Sequence, residues 1–252
     1  MVPANITLKR IITAVGDLFL PRECVVCGQP LLLTEEHICL RCLCDLPLTY
    51  FWQCRHNPMA DKFNARLQAA ISGRDLYEEY ADAAALFIYD SENDYGRITR
   101  ELKYHGNIAM GRMFSRLLGR KLASSSQFSD VDLVVPVPLH PLRRFSRGYN
   151  QAEVIAAQVA AALGTQMDCR ILRRCRYNAS QTRQAMSSKL SNVSGAFKAA
   201  LPRKTQKNET HHILLVDDVF TTGSTLSECH KALRAIYGPE VKISAATLGF
   251  VD

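Results

Sequence analysis

The apolar positions of this chain fall into short runs that alternate with amphipathic stretches of helical length. The clearest run is Ile213 to Val216. These four apolar residues are too few for a helix and are β-branched at both ends, so they predict a buried strand. The segment from Leu226 to Tyr237 places its apolar residues near one helical face and is followed by Gly238-Pro239, which predicts a helix. The residues between them therefore form a turn at a helix N-terminus.

The same alternation continues along the rest of the chain. Strands are predicted at 83–89, 131–137, 165–169 and 242–250, helices at 91–105, 107–123 and 150–163, and a serine-rich loop at 122–130. The residues after the second strand, 138–149, are interpreted as a loop. Strands that alternate with helices predict an α/β fold with a doubly wound, mainly parallel sheet.

The amino-terminal part follows another pattern. Residues 6–20 predict an amphipathic helix whose apolar face packs on the main domain as ordinary core. Its apolar run contains Asp17 and ends at Pro21 without a small-residue cleavage site, so neither a signal peptide nor a membrane span is expected. We divide the chain into a helix and cysteine module at 1–56, a connection with a short helical pattern at 57–82 and the α/β domain at 83–252.

The cysteines are distributed as expected for a metal site. Five of the nine fall within 21 residues, and four of these form two pairs, Cys24-x2-Cys27 and Cys39-x2-Cys42, separated by eleven residues. Two such knuckles converge on a tetrahedral structural Zn²⁺ through four thiolates. The alternative is a set of buried free thiols. Further candidate ligands are His37, Cys44, Cys54 and His56.

Composition indicates a cytoplasmic globular protein. With 252 residues and 47% hydrophobic positions, the chain can bury one large α/β core and a small module. Its net charge of +7 is local, because residues 140–198 contain ten Lys or Arg against Glu153 and Asp168, which gives +8. A solvated basic face is the alternative. Three of these arginines, Arg143, Arg144 and Arg147, follow the strand at 131–137, where a diphosphate would need cations.

The acid pair Asp217-Asp218 and the hydroxyl-rich segment 221–225 carry the most specific chemistry. At a helix N-terminus, this segment offers backbone N–H groups, hydroxyls and the positive end of the dipole to a phosphate monoester. Gly223 lets the backbone approach the anion closely. The carboxylates would repel a phosphate and fit ribose hydroxyls or Mg²⁺ better, although they could also merely cap the turn. Neither a P-loop nor a Gly-x-Gly-x-x-Gly after a strand occurs in the sequence.

These residues resemble a known family. Asp217-Asp218-Val-Phe-Thr-Thr-Gly-Ser-Thr225 is similar to the phosphoribosyl diphosphate (PRPP) signature of type I phosphoribosyltransferases, and the chain as a whole resembles the ComF branch of that superfamily. Further strings that carry the resemblance are 102–106 (LKYHG), 135–139 (VPVPL), 147–151 (RGYNQ), 181–183 (QTR) and 192–197 (NVSGAF).

The resemblance implies a set of site residues. The catalytic set is Asp217, Asp218, Arg183 and Lys189. The substrate-binding set is Pro138, Arg143, Arg144, Arg147, Gln181, Val219, Phe220, Thr221, Thr222, Gly223, Ser224 and Thr225. Arg183 and Lys189 would belong to a mobile loop, 177–192, that closes over the substrate.

The resemblance also implies partners. PRPP or a ribose phosphate would bind with Mg²⁺, and a nitrogen nucleophile would displace diphosphate from C1. The sequence does not identify the acceptor substrate. The association of ComF with DNA uptake in transformation implies single-stranded DNA and DNA-uptake proteins as partners. A module that senses PRPP without turnover is a third alternative.

Overall fold

A five-stranded parallel sheet carries the fold. The computed structural model describes residues 8–71, 78–88, 94–175, 195–200 and 210–251. The strands are β1 Ala83–Ile88, β2 Leu133–Pro136, β3 Gln166–Met167, β4 Leu172–Arg174, β5 Phe197–Ala199, β6 His212–Phe220 and β7 Lys242–Phe250. The main sheet has the order β1-β7-β6-β2-β3 with every pairing parallel, and β4 and β5 form a separate antiparallel pair. The predicted mainly parallel α/β sheet is confirmed.

Helices cover this sheet. They are α1 Leu8–Phe19, α2 Leu40–Cys44, α3 Pro58–Ile71, α4 Gly96–Arg100, α5 Ile108–Ala123, α6 Pro141–Arg147, α7 Gln151–Leu163 and α8 Ser224–Tyr237. A 3₁₀ turn lies at Phe51–Gln53, and a π-helical turn at Glu101–His105 continues α4. The successive residues Ile213 to Val216 are all fully buried. Because neighbouring strand residues point to opposite faces, both faces of the sheet are covered, as expected for a doubly wound fold.

The sixth strand is longer than its apolar run predicts. It pairs with β7 through Val219↔Gly249 and Phe220↔Phe250. Two apolar residues after the acid pair thus continue the strand, and Asp217 and Asp218 lie within it. The turn that precedes α8 is correspondingly short, and α8 begins at Ser224.

The segment after β2, interpreted as a loop from its sequence, contains helix α6. His140 caps this helix by accepting a hydrogen bond from the backbone N–H of Leu142 at 3.3 Å, and Pro141 occupies the first turn. Gly148 ends the helix with a φ of 78°. These start and stop signals were present in the sequence, but the three arginines between them obscured the apolar periodicity.

The connections diverge between β2 and β6. From β2 the chain passes through α6 and α7 to the edge strand β3, whereas from β6 it passes through α8 to β7 on the other side. Neighbouring parallel strands whose connections lead in opposite directions leave a crevice at their carboxyl ends. The fold therefore places a crevice beside Asp217 and Asp218.

Helix α3, Pro58–Ile71, lies in the segment predicted as a connection with a short helical pattern. Met59, Ala60 and Phe63 on this helix are fully buried, and Phe63 packs edge to face against Phe220 at 6.5 Å between ring centroids. Helix α3 contacts both β1 and α8. It thereby contributes to the wall of the domain near the end of β6.

The amino-terminal helix differs from its prediction. The helix α1 is present, but Val15, Phe19 and Leu20 of the predicted apolar face are 53%, 82% and 81% exposed. The expectation that this face packs as ordinary core is wrong for the described side chains. The segment instead joins the cysteine module through Asp17, which accepts a hydrogen bond from Arg22 Nε at 2.9 Å. No helix in the described ranges has both the length and the apolar character that crossing a membrane requires.

Candidate functional site

A cleft of about 620 Å³ opens at the carboxyl ends of β2 and β6. Its charged and polar lining includes Lys103, Tyr104, Arg143, Arg147, Tyr149, Asn150, Gln151, Arg174, Asp217, Asp218 and Thr225, with Pro138 and Leu142 among its apolar residues. The cleft thus combines the predicted acid pair, part of the predicted arginine segment and one end of the hydroxyl-rich turn. It lies at the crevice that the sheet topology creates.

The acid pair lies in the floor of this cleft. Asp218 is only 9% exposed, and its Oδ2 lies 3.2 Å from Lys103 Nζ. Asp217 Oδ1 accepts a hydrogen bond from the backbone N–H of Asp218 at 2.9 Å. Burial, followed by the adjacent Asp218 carboxylate, raises the pKa of Asp217 to about 7. Two close carboxylates held this way can accept hydrogen bonds from a diol or share a cation.

Lys103 is brought to the acids by the π-helical turn at 101–105. The Tyr149 hydroxyl donates to the Leu102 carbonyl, and Gln151 Nε2 donates to the Lys103 carbonyl at 3.4 Å. Such turns often occur at functional sites. Lys103 was absent from the predicted site residues, although the string that contains it contributed to the family resemblance. Nothing in its local sequence indicates the contact with Asp218, which lies 115 residues away.

Three arginines complete the basic wall. Arg143 and Arg147 come from α6, and the Arg147 guanidinium lies 5.2 Å from the centre of the Tyr104 ring. Arg174 enters from β4, and burial, followed by the charge of Arg143, lowers its pKa. Arg174 Nε is buried without a hydrogen-bond partner in the described part of the chain. A buried guanidinium N–H of this kind indicates that the cleft is built for an anion.

Arg144 has a different environment. Its guanidinium binds Glu153 on α7 at 2.9 and 3.2 Å and does not belong to the cleft lining. It fixes α6, which carries Arg143 and Arg147, against α7. Arg174 takes the position in the cleft that the sequence interpretation gave to Arg144.

The hydroxyl-rich turn begins α8. Thr221 and Thr222 are exposed, and the hydroxyls of Thr222 and Ser224 lie 2.9 Å apart. Gly223 is the N-cap and supplies no side-chain cap, so the first N–H groups of the helix keep their capacity to bind an anion. Among these residues, Thr225 lines the cleft.

Gly223 is required at this turn by its geometry. Its φ is +72°, and a Cβ atom there would lie 2.7 Å from Cζ of Phe220. The Phe220 side chain is 1% exposed and belongs to the core, so it supports the turn from below. Val219 is half-buried in the same strand. Gln181, Arg183 and Lys189, by contrast, lie outside the described residues.

The four predicted metal ligands converge. The Sγ atoms of Cys24, Cys27, Cys39 and Cys42 all lie within 4.8 Å of one another, and those of Cys27 and Cys39 are 3.8 Å apart. Tetrahedral Zn–S bonds of about 2.3 Å require sulfur separations of about 3.8 Å. The four cysteines therefore form a candidate metal site.

Backbone donors favour a thiolate at Cys24, whereas burial raises the pKa of Cys42. The N–H of Cys39 points to Cys24 Sγ at 3.4 Å, and the N–H of Cys42 points to Cys39 Sγ at 3.5 Å. Burial opposes ionisation of Cys24, but backbone N–H groups outweigh it and lower its pKa to about 7. The donor set and its spacing fit a structural zinc ion.

The cysteine module is attached to the α/β domain near the cleft. Its residues 47–49 extend the edge of β1, with Thr49 N–H donating to the Leu86 carbonyl at 3.1 Å and Ile88 N–H donating to the Pro47 carbonyl at 2.9 Å. The Tyr95 hydroxyl donates to the Cys42 carbonyl at 3.0 Å. The module is thus fixed to the segment that leads into α4 and Lys103.

Comparison with known proteins agrees with this architecture. Residues 149–248 match the family described as phosphoribosyl transferase domain. The chain is 30% identical to Competence protein F of Haemophilus influenzae over 151 residues, which cover 58% of this chain and 64%, less than two thirds, of that protein.

Two other relatives match over most of their length. DNA utilization protein YhgH of Salmonella typhimurium is 25% identical over 231 residues, 86% of this chain and 92% of that protein. Competence protein ComFC of Streptococcus pneumoniae is 24% identical over 234 residues, 87% of this chain and 97% of that protein. The fold, the cysteine cluster and these matches make the chain similar to competence and DNA utilization proteins of the ComF kind, with a phosphoribosyl transferase domain matched at 149–248.

Proposed function

We propose that the cleft binds PRPP, or a related ribose phosphate, together with Mg²⁺. The observation that carries this proposal is the arrangement around Asp217 and Asp218. An uncapped helix N-terminus follows the acids in the chain, and the basic wall of Lys103, Arg143, Arg147 and Arg174 lines the same cleft. PRPP has a phosphate monoester, a diol and a diphosphate, and the cleft offers a group of suitable chemistry to each of them.

The carboxylates of Asp217 and Asp218 suit Mg²⁺ as well as the ribose hydroxyls. Mg²⁺ prefers carboxylate oxygens and phosphate oxygens, and Asp217 and Asp218 are the carboxylates in the cleft lining. When bound, Mg²⁺ would neutralise charge on the diphosphate. The part of the basic wall from Arg143, Arg147 and Arg174 would contribute to the same neutralisation.

The reaction we propose is transfer of the phosphoribosyl group to a nitrogen acceptor. The bond from C1 to the acceptor nitrogen forms as the bond from C1 to the diphosphate oxygen breaks. The diphosphate leaves with the electron pair, and the nitrogen releases its proton to solvent. Asp217 and Asp218 would hold the ribose hydroxyls while positive charge develops on the ring. No covalent intermediate with the protein is needed.

Diphosphate release tests this proposal. The protein is incubated with PRPP, Mg²⁺ and a panel of nitrogen bases, and diphosphate is measured with a coupled assay. We expect release that depends on one acceptor and is lost in an Asp217→Asn, Asp218→Asn double variant. The matched control is Arg116→Gln, which changes an exposed arginine on α5. This variant should retain activity. Binding without release under every condition would favour a PRPP-sensing module.

A second candidate function is the handling of single-stranded DNA, and two exposed aromatic side chains favour it. Phe145 is 92% exposed on α6, and Tyr104 is 68% exposed beneath Arg147. Exposed aromatic rings beside arginines can stack bases while the cations contact phosphates. The names of the relatives refer to competence and DNA utilization, which supports a role with DNA-uptake proteins.

Fluorescence anisotropy with a labelled oligonucleotide separates the two functions. If the arginines form a track, log affinity should fall with log salt at roughly −0.7 per phosphate contacted, and PRPP should compete with the DNA. Phe145→Ala should weaken DNA binding and leave PRPP binding unchanged. A flat salt response would remove DNA from the function of this cleft.

We also propose that the four cysteines bind one structural Zn²⁺. The module has few buried apolar residues, so a metal would supply much of its stability. Ligand thiolates of this kind remain reduced in the cytoplasm, where we place the protein. Elemental analysis should give one zinc per chain, and Cys39→Ser should lose it while Cys44→Ser, which changes a neighbouring exposed thiol, keeps it. Absence of stoichiometric zinc from the purified protein would contradict the assignment.

A further inference from the structure

The hydroxyl-rich turn has no positive side chain of its own. Residues 221–225 are all uncharged, and the basic wall of the cleft comes from other elements, the π-helical turn, α6 and β4. A phosphate monoester carries up to two negative charges, which the partial charge of a helix N-terminus neutralises only in part. A cation from elsewhere in the fold would complete such a site.

Helix α3 brings an arginine to this turn. A Cβ atom placed on Gly223 would lie 3.6 Å from Cδ of Arg66. The aliphatic part of Arg66 therefore lies across Gly223, and its guanidinium, two bonds beyond Cδ, can reach an anion held by the turn. The position is fixed by the core beneath, where Phe63 on α3 packs against Phe220 at the end of β6.

The Arg66 guanidinium is also available. It makes no hydrogen bond or ion pair with any of the residues that the structure describes. Other arginines on this side of the molecule are engaged: Arg55 lies 3.5 Å from Asp82, and Arg234 binds Glu78. A half-buried arginine without a carboxylate partner retains all its donors for a ligand.

We propose that Arg66 is a binding residue for the terminal phosphate of the ligand at 221–225. A guanidinium binds phosphate through two parallel N–H groups, which a helix N-terminus alone does not offer. The inference rests on the proposed function and adds a residue to it that lies outside the segment 149–248 matched by the phosphoribosyl transferase family. It also predicts selectivity for a phosphate monoester over an uncharged sugar.

Calorimetric titration of ribose 5-phosphate and ribose into the purified full-length chain tests the inference. Arg66→Gln should weaken ribose 5-phosphate binding about 10- to 100-fold, the usual effect of losing hydrogen bonds to a charged group. Arg66→Lys keeps the charge without the planar fork and should lose less. Lys62→Gln removes a charge one turn earlier on the same helix, where the ammonium lies 4.9 Å from the centre of the Phe250 ring, and should change affinity less than about 3-fold.

The outcomes are distinguishable. If the wild-type chain does not bind ribose 5-phosphate, the proposed function fails and the inference fails with it. If the wild type binds and Arg66→Gln binds equally well, the proposed function stands and the inference is overturned. An equal loss in Lys62→Gln would also overturn it, because the effect would then be one of net charge. A thermal melt shows whether each variant is folded. If Arg66→Gln is not folded, Arg66→Lys provides the test instead.

Discussion

The polar groups at the two ends of strands β6 and β7 differ in whether the protein itself supplies their hydrogen-bond partners. At the amino end, His212 lies between Asp130 and Ser244, with its Nδ1 2.7 Å from the Asp130 carboxylate and its Nε2 2.6 Å from the Ser244 hydroxyl. Asp132 accepts from the backbone N–H groups of His211 and His212 at 2.7 and 2.9 Å. Around His212 and Asp132 the protein thus satisfies its own donors and acceptors.

The carboxyl end of the same strands is left incomplete. Asp217 is held beside a second carboxylate, which contributes to its raised pKa, and Arg174 Nε has no partner in the described part of the chain. Helix α8 starts there without a side-chain cap. The carboxyl end thus holds two adjacent carboxylates and a buried arginine N–H without a described partner, whereas His212 at the amino end is hydrogen-bonded through both ring nitrogens.

At the carboxyl end, a buried polar atom without a described partner coincides with the sequence motif, whereas the other such atoms, which include Asp82 Oδ1 and the Tyr237 hydroxyl, lie outside the cleft lining. Both ends contain buried ionisable residues on β6, so burial alone does not distinguish them. What distinguishes the carboxyl end is that a ligand with hydroxyls and negative charge would satisfy the groups that the protein does not.

The largest expected effect is a gain of stability at the carboxyl end. Because the pKa of Asp217 is raised, its ionisation disfavours the folded state, and wild-type stability should fall as pH rises from about 4 through 7. Asp217→Asn cannot ionise and should therefore be more stable than wild type at pH 8 by roughly 2–4 kcal/mol, with no gain at pH 4.

Urea unfolding at the two pH values measures this gain. Asp218→Asn is the matched control, because Asp218 has an ion pair with Lys103 at 3.2 Å that the substitution removes. Asp218→Asn relieves the repulsion on Asp217 but also loses this ion pair, so its gain should be the smaller one. No gain in Asp217→Asn would contradict the view that this end is electrostatically unfavourable.

A loss of similar size is expected at the amino end. His212→Ala leaves a cavity and deprives the fully buried Ser244 hydroxyl of its partner, which should reduce the free energy of unfolding by about 3 kcal/mol. The affinity of the cleft for its ligand should not change. The control is His211→Ala, which removes the imidazole of an exposed neighbouring residue. A cleft that loses affinity in His212→Ala would show that the two ends are coupled.

A smaller effect is expected from the turn that closes the carboxyl end. Gly223→Ala places a Cβ atom against Phe220 at a φ of +72° and should destabilise the chain by about 2 kcal/mol. Gly164→Ala is the control, because Gly164 has a φ of +70° with no atom within 4 Å of the Cβ position. The difference in melting temperature between the two variants measures the contribution of the contact with Phe220. Equal destabilisation would show that Phe220 does not shape the turn.

The smallest effect is a dependence of stability on pH with the opposite sign from that of Asp217. Burial, followed by the charge of Lys242, lowers the pKa of His212, although Asp130 opposes this. The folded state therefore binds a proton less readily than the unfolded state. Stability should fall as pH drops below about 6.5, by at most about 1.4 kcal/mol per pH unit. His212→Gln should lack this component in pH-dependent urea titrations, whereas His211→Gln should keep it.

Much of this arrangement could be predicted from sequence because its signals are local. The run Ile213 to Val216, the acid pair and the segment 221–225 are contiguous, so they place a strand, two carboxylates and a helix N-terminus together without knowledge of the fold. The paired spacing of Cys24, Cys27, Cys39 and Cys42 similarly predicts their convergence, which the structure confirms.

The contributions from distant segments could not be predicted in this way. Lys103 reaches Asp218 through a π-helical turn that is held by tertiary hydrogen bonds, and Arg66 belongs to a segment that was interpreted as a connection. The pairing of Arg144 with Glu153 depends on how α6 packs against α7. Side-chain partners across the fold follow from strand order and helix packing, which the local pattern does not specify.

Calorimetric titration of PRPP in the presence of Mg²⁺ tests the central claim, that the carboxyl end of β6 is a ribose-phosphate site, most directly. The account predicts saturable binding with one ligand per wild-type chain, at least about 100-fold weaker in an Asp217→Asn, Asp218→Asn double variant and unchanged in His212→Gln. Equal affinity in the wild type and the double variant, or no binding by the wild type, would contradict it.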